Sequence, residues 1–470
     1  MLTFSAGSAG RRRCDGVSRR SFLKVGALGF GGLSLPELLR AESAAGIGSS
    51  HKAVINIHLD GGPPQMDLID PKPEASAEVR GEFAPIATSV PGFHVTELMP
   101  KMASIAHRAV FLRALVGAEG KHDAFQCMSG FSEKDLSSLG GRPAMGCVVN
   151  RLLGKPQDEV PAFVDLMQGR PLARNSARPG FLGPAFNAFR PDISHLFKRE
   201  LEEGMKGELA RLGPGHSTRL ELLEGMPVAR LDNRLGLLEA LDRLPRALDA
   251  AGNMGAIDQF TQQAYSILTS GKISAAMDLE KEDPKVVDRY TPRVSDSLAF
   301  YTSEGPQAAR KLLLARRLVE AGVRCVSVSI SDFDTHQKNA PRMRQLGPIV
   351  DHALHALITD LDERGMLDDV TVIAWGEFGR TPKVNKNGGR DHWPKVAMGI
   401  MAGGGMDGGQ VIGATDKNAA EAIDRPVHYQ DVIATLYQKL GIDAGAVTIE
   451  DPTGRPQYLV DRGTPIAELI

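Results

Sequence analysis

Short runs at residues 53–59, 110–116, 162–166, 323–330, 370–375 and 396–401 are rich in Val, Ile and Leu, and several are apolar along their whole length instead of alternating. A strand that is apolar on both faces has to be covered on both faces, which points to a mainly parallel sheet held between helices. Helical patterns fall between the runs. They cover 96–107 with Thr96 as N-cap, 306–321 stopped by Gly322, and 429–440 ended by Gly441. Another covers 348–364, with Val350, Ala353, Leu354, Leu357, Ile358 and Leu361 on one face and Gly365 as the stop. Strands alternating with helices predict an α/β layered domain.

Residues 187–303 differ: they are rich in Leu, Arg, Glu and Ala and carry no convincing strand. They read as a helical insertion within one domain spanning 46–470. The charged, Pro-punctuated stretch 278–293 reads as an exposed connection.

Near the N-terminus, residues 18–24 read Ser-Arg-Arg-Ser-Phe-Leu-Lys and lead into a modestly apolar run. That run, of about ten residues, falls well short of the roughly 20 that span a bilayer. Basic residues ahead of it and Ser43, Ala44 and Ala45 behind fit a signal peptide. Residues 1–45 therefore read as a twin-arginine export signal, the alternative being an amphipathic helix on a cytosolic protein. The expectation is a bacterial protein folded before export to the periplasm or beyond, with the twin-arginine translocon as its partner in transit. No second stretch approaches transmembrane length.

Lys plus Arg number 55 and Asp plus Glu 57, so no basic field points to nucleic acid. Of the four cysteines, Cys14 lies in the signal; Cys127, Cys147 and Cys325 are odd in number and form no C-x-x-C pair. Buried free thiols are expected, rather than a disulfide framework.

Acidic residues and histidines gather where the strands end, and in open α/β sheets the carboxyl ends of strands are where ligands bind. Asp60, Gly61, Gly62, Asp67 and Asp70 follow the first run. Asp332, Phe333, Asp334, Thr335, His336 and Asn339 follow 323–330. Glu377 and Arg380 follow 370–375, and Arg390, Asp391 and His392 precede 396–401. Carboxylates that converge repel one another unless a cation sits among them. Mixed carboxylate and imidazole ligation suits Zn, Mn, Mg or Ca, with Asp60, Asp334, His336, Glu377, Asp391 and His392 as candidate ligands. The bland reading is a polar cleft with no ion, held by Arg380 and Arg390 against the carboxylates.

Asp60-Gly61-Gly62-Pro63, Asp70-Pro71-Lys72-Pro73, Phe333-Asp334-Thr335-His336, Gly376-Glu377-Phe378-Gly379-Arg380-Thr381-Pro382 and Gly389-Arg390-Asp391-His392-Trp393 resemble the exported family called domain of unknown function 1501. That family belongs to the alkaline phosphatase/sulfatase superfamily, and the resemblance runs in order over nearly the whole mature chain. It implies an alkaline-phosphatase-like fold holding one or two divalent metals at the carboxyl edge of the sheet. Asp60 resembles the ligand after the first strand, Asp334 and His336 the pair after a later one, and His392 the last histidine. Glu377 stands where the superfamily has the Asp of an Asp-His step; Phe378 replaces that histidine.

The superfamily's nucleophile is a Ser, Thr or modified Cys about ten residues ahead of a step resembled here by Met128-Ser129-Gly130-Phe131. Residues 118–122 read Ala-Glu-Gly-Lys-His, with no hydroxyl or thiol. His122, expected to open a helix over 122–127, is left as nucleophile, general base, extra ligand or structural residue. Arg380 either contacts an anionic ester oxygen or pairs with Asp391 or Glu377. The resemblance implies an exported metal-dependent hydrolase of phosphate or sulfate esters, with an anionic ester or glycan as substrate. The alternative is a non-catalytic binding or assembly protein on a degenerate hydrolase scaffold.

Overall fold

Every strand of the main sheet grows from one of the apolar runs or extends its edge. In the computed structural model, residues 51–137, 140–155, 157–167, 176–191, 193, 266–267, 270–292 and 306–470 are described. Residues 1–45, which read as an export signal, and most of the stretch 187–303, which reads as a helical insertion, lie outside them. The strands are β1 (Ala53–Leu59), β2 (Ala109–Val116), β3 (Phe163–Asp165), β4 (Cys325–Ile330), β5 (Val370–Trp375), β6 (Ala397–Gly403), β7 (Gln410–Ile412) and β8 (Val427–His428). Their order is β7-β2-β6-β5-β1-β4-β3, with β8 also pairing β2.

β1 lies between β4 and β5, parallel to both, with Ile57 opposite Val328 on one side and Ala374 on the other. β6 alone runs against its neighbours. That reversal has a functional consequence: loops that follow β1, β2, β4 and β5 meet the loop that precedes β6 at the same edge.

The principal helices are α1 (Pro100–Ser104), α2 (Phe125–Ser129), α3 (Met145–Leu153), α4 (Arg310–Glu320), α5 (Asn339–Glu363) and α6 (Tyr429–Lys439). Alternate residues of β1 enter different cores. Ile55, Ile57 and Leu59 pack with α4 and α5 through Leu312, Leu313, Val350 and Leu354. Val54 faces α3 and α6 through Val148, Val432 and Ile433. Each such side chain, fully buried, is worth about 1.5–3 kcal/mol. Cys127, Cys147 and Cys325 are free and buried. Among the described residues no helix is long and apolar enough to cross a membrane.

Several expectations are corrected. Thr96 caps no helix: it ends a short ribbon strand, His94–Thr96, and its hydroxyl donates to the Asp67 carbonyl at 2.7 Å. The helix starts instead at Pro100, where a missing N–H costs nothing in the first turn. α5 begins at Asn339, upstream of Pro348, which sits inside it. An interior proline costs about 3 kcal/mol, but Met343 and Leu346 ahead of it bury completely and continue the apolar face. The 278–293 connection is anchored, not merely exposed. Glu282 pairs with Arg317 at 2.8 Å, and buried Tyr290 donates to Asp360 at 2.9 Å.

Candidate metal centre

Four side chains from three loops meet at the carboxyl edge: His122 after β2, Asp334 and His336 after β4, and His392 before β6. Asp334 Oδ1 lies 3.3 Å from His122 Nε2, 3.1 Å from His336 Nε2 and 3.3 Å from His392 Nε2. The Nε2 atoms of His336 and His392 are 3.0 Å apart. Four ligands held about 2.0–2.1 Å from a zinc ion lie about 3.3–3.4 Å from one another, so the observed edges are close to a tetrahedral cage.

The other nitrogen of each ring explains why the Nε2 atoms turn inward. His122 Nδ1 is 2.8 Å from Glu377 Oε1, His336 Nδ1 is 2.6 Å from Asp391 Oδ1, and His392 Nδ1 is 2.9 Å from the Gly120 carbonyl. All three partners accept, so each Nδ1 donates, and the neutral ring presents a bare lone pair at Nε2. Lone pairs and a carboxylate aimed at one point are unfavourable without a positive charge between them. The residues present therefore fit a divalent cation, and the carboxylate or carbonyl behind each ring is the usual support for a histidine ligand.

Where an ion is lacking, protons take its place. Burial alone would lower the pKa of His122, but the bonds to Asp334 and Glu377 override this and lift it to about 9. Burial would raise the Asp334 carboxyl; the bonds from His122, His392 and Arg380 hold it well below the usual carboxylate range. The hydrogen bond from His336 likewise holds Asp391 down.

Beneath this open rim lies a second group: His58, Asp60 and Glu377, all fully or almost fully buried. His58 Nε2 is 3.5 Å from Glu377 Oε2 and 3.8 Å from Asp60 Oδ1. The Gly61 N–H donates to Glu377 Oε1 at 3.0 Å. Gly61 itself takes φ +107°, and a Cβ there would stand 2.4 Å from the Asp334 nitrogen. Only glycine lets the loops after β1 and β4 come this close.

The candidate residues thus divide between two groups. Asp334, His336 and His392 converge as expected, and His122 joins them. Asp60 and Glu377 form the deeper group, with Glu377 reaching up to His122. Asp391 stands behind His336, outside both groups. His122 does not open a helix; α2 starts at Phe125, whose N–H is accepted by Asp123 Oδ1 at 2.8 Å.

Arg380 is fully buried. It donates to the carbonyls of Gly61, Gly62 and Arg390 and, at 2.7 Å, to Asp334 Oδ1. Its ion pair is with Asp334, in place of the pairing with Asp391 or Glu377 that the sequence offered as one alternative, and four of its five N–H donors are spent inside the protein. Arg390 grips Asp67 instead of a candidate ligand, at 2.9 and 3.0 Å. Asp70 pairs with Lys72 at 3.0 Å.

His58 was missed. It sits inside an apolar run that reads as core, and its one signal was its place two residues before Asp60, on the same face of the strand.

Fold and site define an α/β protein carrying a three-histidine, one-aspartate cluster at the carboxyl edge of its sheet. The chain belongs to the family described as protein of unknown function (DUF1501), which it matches over residues 51–470. No curated protein matches it in sequence.

Among solved structures it is similar to the PsFucS1 sulfatase from Pseudoalteromonas sp., at 12% identity over 86% of this chain and 70% of that one, with a TM-score of 0.37. It is also similar to the phosphonate monoester hydrolase of Agrobacterium radiobacter, at 14% identity over 89% and 77%, TM-score 0.33. A third is the C-terminal periplasmic domain of EcEptC from Escherichia coli in complex with Zn, at 8% identity over 87% and 86%, TM-score 0.33. Likeness this distant carries no argument about activity.

Proposed function

We propose that this protein is an exported, metal-dependent hydrolase of phosphate or sulfate esters, with its divalent cation held by His122, Asp334, His336 and His392. One observation carries the reading: three imidazole Nε2 atoms and one carboxylate oxygen face a common point, where Arg380 offsets the carboxylate and leaves the three ring nitrogens to a cation. The exposed side of His336 keeps that point open to substrate, as a catalytic site requires and a structural one avoids.

A cation bound there would polarise an ester oxygen and make a bound water more acidic. The chain's own groups do the rest. Glu377, Asp391 and the Gly120 carbonyl hold the three rings in the tautomer that frees Nε2. Arg380 fixes Asp334 and offsets its charge. Asp391, held well ionised, orients His336 and is a poor proton carrier at neutral pH. With no hydroxyl or thiol at residues 118–122, the attacking group in this reading is water. The substrate is an anionic ester, borne on a glycan or a smaller molecule, and the twin-arginine route to the periplasm stays part of the proposal.

The missing hydroxyl also favours a second reading, a metal-bearing binding protein without turnover. Full-length protein loaded with zinc or manganese and offered aryl phosphate and aryl sulfate esters separates the two. Hydrolysis that falls at least about 100-fold in His392→Ala, with folding kept by circular dichroism, supports the enzyme. Cleavage of neither ester class by metal-loaded protein ends the hydrolase reading.

A further inference from the structure

The loop that supports the rim also walls a cavity. Gly120, whose carbonyl takes the His392 Nδ1–H at 2.9 Å, lines a space of about 700 Å³ together with Glu119, Lys121, Glu133, Lys134 and Ser137. We propose that this cavity takes the alcohol half of the ester, and that Lys121 and Lys134 select an alcohol carrying an acid group of its own. This rests on the hydrolase reading above, which supplies the ester, and adds what lies beyond the bond to be cleaved.

Size and place both argue for a ligand. Small-molecule sites run to about 300–1,000 Å³, far more than one phosphate or sulfate group fills. Lys121 follows Gly120 and precedes His122, so the wall of the cavity and the rim are consecutive residues of one loop. An ester with its anionic end at the rim therefore has its other end at the cavity. Leu136 is the one apolar side chain among the described residues that line it, so a hydrocarbon tail gains little there.

Two carboxylates and two ammonium groups share the lining, and their partners decide which sign of ligand is favoured. Lys121 Nζ lies 2.6 Å from Glu133 Oε2, with the two side chains 70% and 44% exposed. Glu119 turns its Oε2 to the Glu133 N–H at 3.2 Å. Both carboxylates are thus engaged, whereas the Lys134 ammonium has no ion-pair partner among the described residues. An ion pair as exposed as that of Lys121 and Glu133 contributes little, so an incoming anion draws Lys121 away from Glu133 at small cost.

The arginines of the site do not serve this end of the ligand. Arg380 and Arg390 are fully buried among their own partners. Lys121 and Lys134 are both exposed, and an ammonium on a flexible stem meets a charge without fixing its geometry. The cavity therefore selects by the sign of the charge on the alcohol more than by its shape.

Isothermal titration of the full-length, zinc-loaded protein tests this with three phosphonates whose P–C bond resists hydrolysis: phosphonopropionate, propylphosphonate and aminopropylphosphonate. They differ only in ending with an acid, a methyl or an ammonium group. The acid is expected to bind about three- to tenfold tighter than the methyl compound, and the ammonium compound no tighter than the methyl one. Glu133→Gln frees Lys121 and should widen the acid's advantage about two- to fivefold. Replacing both lysines, Lys121→Met with Lys134→Met, should remove that advantage. Equal binding of all three, a preference for the ammonium compound, or an advantage of the acid that survives loss of both lysines overturns the inference and leaves the hydrolase reading in place. Binding of none of the three to zinc-loaded protein counts against the ester-binding rim itself and takes this inference with it.

Discussion

The contact that most tightly ties the site to the fold is the buried pair between Asp67 and Arg390, 323 positions apart in the chain. Both side chains are fully buried, and the guanidinium meets the carboxylate with two bonds at 2.9 and 3.0 Å. Asn339 adds a third bond to Asp67 at 2.6 Å. Arg390 also donates to the carbonyls of Val79, Thr381 and Pro382. It therefore holds the loop that carries Asp391 and His392.

Asp67→Ala strands a guanidinium with no counter-charge, which costs about 3–5 kcal/mol. For a folded unit of about 400 residues, an unfolding entropy of about 2.1 cal/mol/K per residue turns that into a fall in Tm of roughly 4–6 °C. Replacing both partners, Asp67→Leu with Arg390→Met, removes the stranded charge but takes Arg390 away from three carbonyls and Asp67 away from the Asn339 amide N–H. At about 1–3 kcal/mol for each unsatisfied group, the double variant stays destabilised instead of returning to wild type. Urea unfolding followed by the fluorescence of Trp375 and Trp393 measures both. A loss under about 1 kcal/mol in Asp67→Ala, or a double variant as stable as wild type, would refute the claim that this pair anchors the loop.

Three further outcomes follow from the geometry. In Gly389→Ala the new Cβ would stand 2.0 Å from the His336 carbonyl carbon and oxygen. The 385–392 turn must shift, and a stability loss of about 1–3 kcal/mol should accompany a lower zinc content. Arg380→Lys keeps the charge but cannot span Asp334 and three carbonyls, so metal affinity should fall at least about tenfold; an unchanged titration by isothermal calorimetry would show that Arg380 does not hold Asp334.

Asp351 gives the pH prediction. Burial pushes its carboxyl up to about 6, against the bonds from the Met102 and Lys101 N–H groups. Its value in the unfolded chain is about 3.9, so the folded state binds the proton more tightly. The penalty is therefore fully present above about pH 6 and is relieved as the pH falls through that value, by at most about 3 kcal/mol. Asp351→Asn should gain on wild type most above pH 7 and lose that advantage by pH 4, read from urea midpoints; a difference that does not vary with pH would count against it.

Much of the architecture was legible before any coordinates. The runs at 53–59 and 370–375 are apolar throughout because both faces are covered, and each became a central parallel strand with those bounds. That acidic and histidine loops follow such strands placed Asp60, Asp334, Glu377 and His392 at one sheet edge. Local signals failed where a tertiary contact outweighed them. Thr96 has the chemistry of a cap, but its hydroxyl serves the Asp67 carbonyl. Pro348 has the look of a helix start, but Met343 and Leu346 bury ahead of it.

The amino-acid sequence alone determined that this is a layered α/β protein and that its polar residues crowd one end of the sheet, since hydrophobic periodicity and strand ends are properties of neighbouring residues. Only the tertiary structure decided which polar groups share a point. It set His58 against Glu377, turned Arg380 inward onto Asp334, and stood Asp391 behind His336. Those partners are fixed by strand order, with β1 between β4 and β5 and β6 reversed. Strand order depends on contacts hundreds of residues apart, which no local pattern encodes.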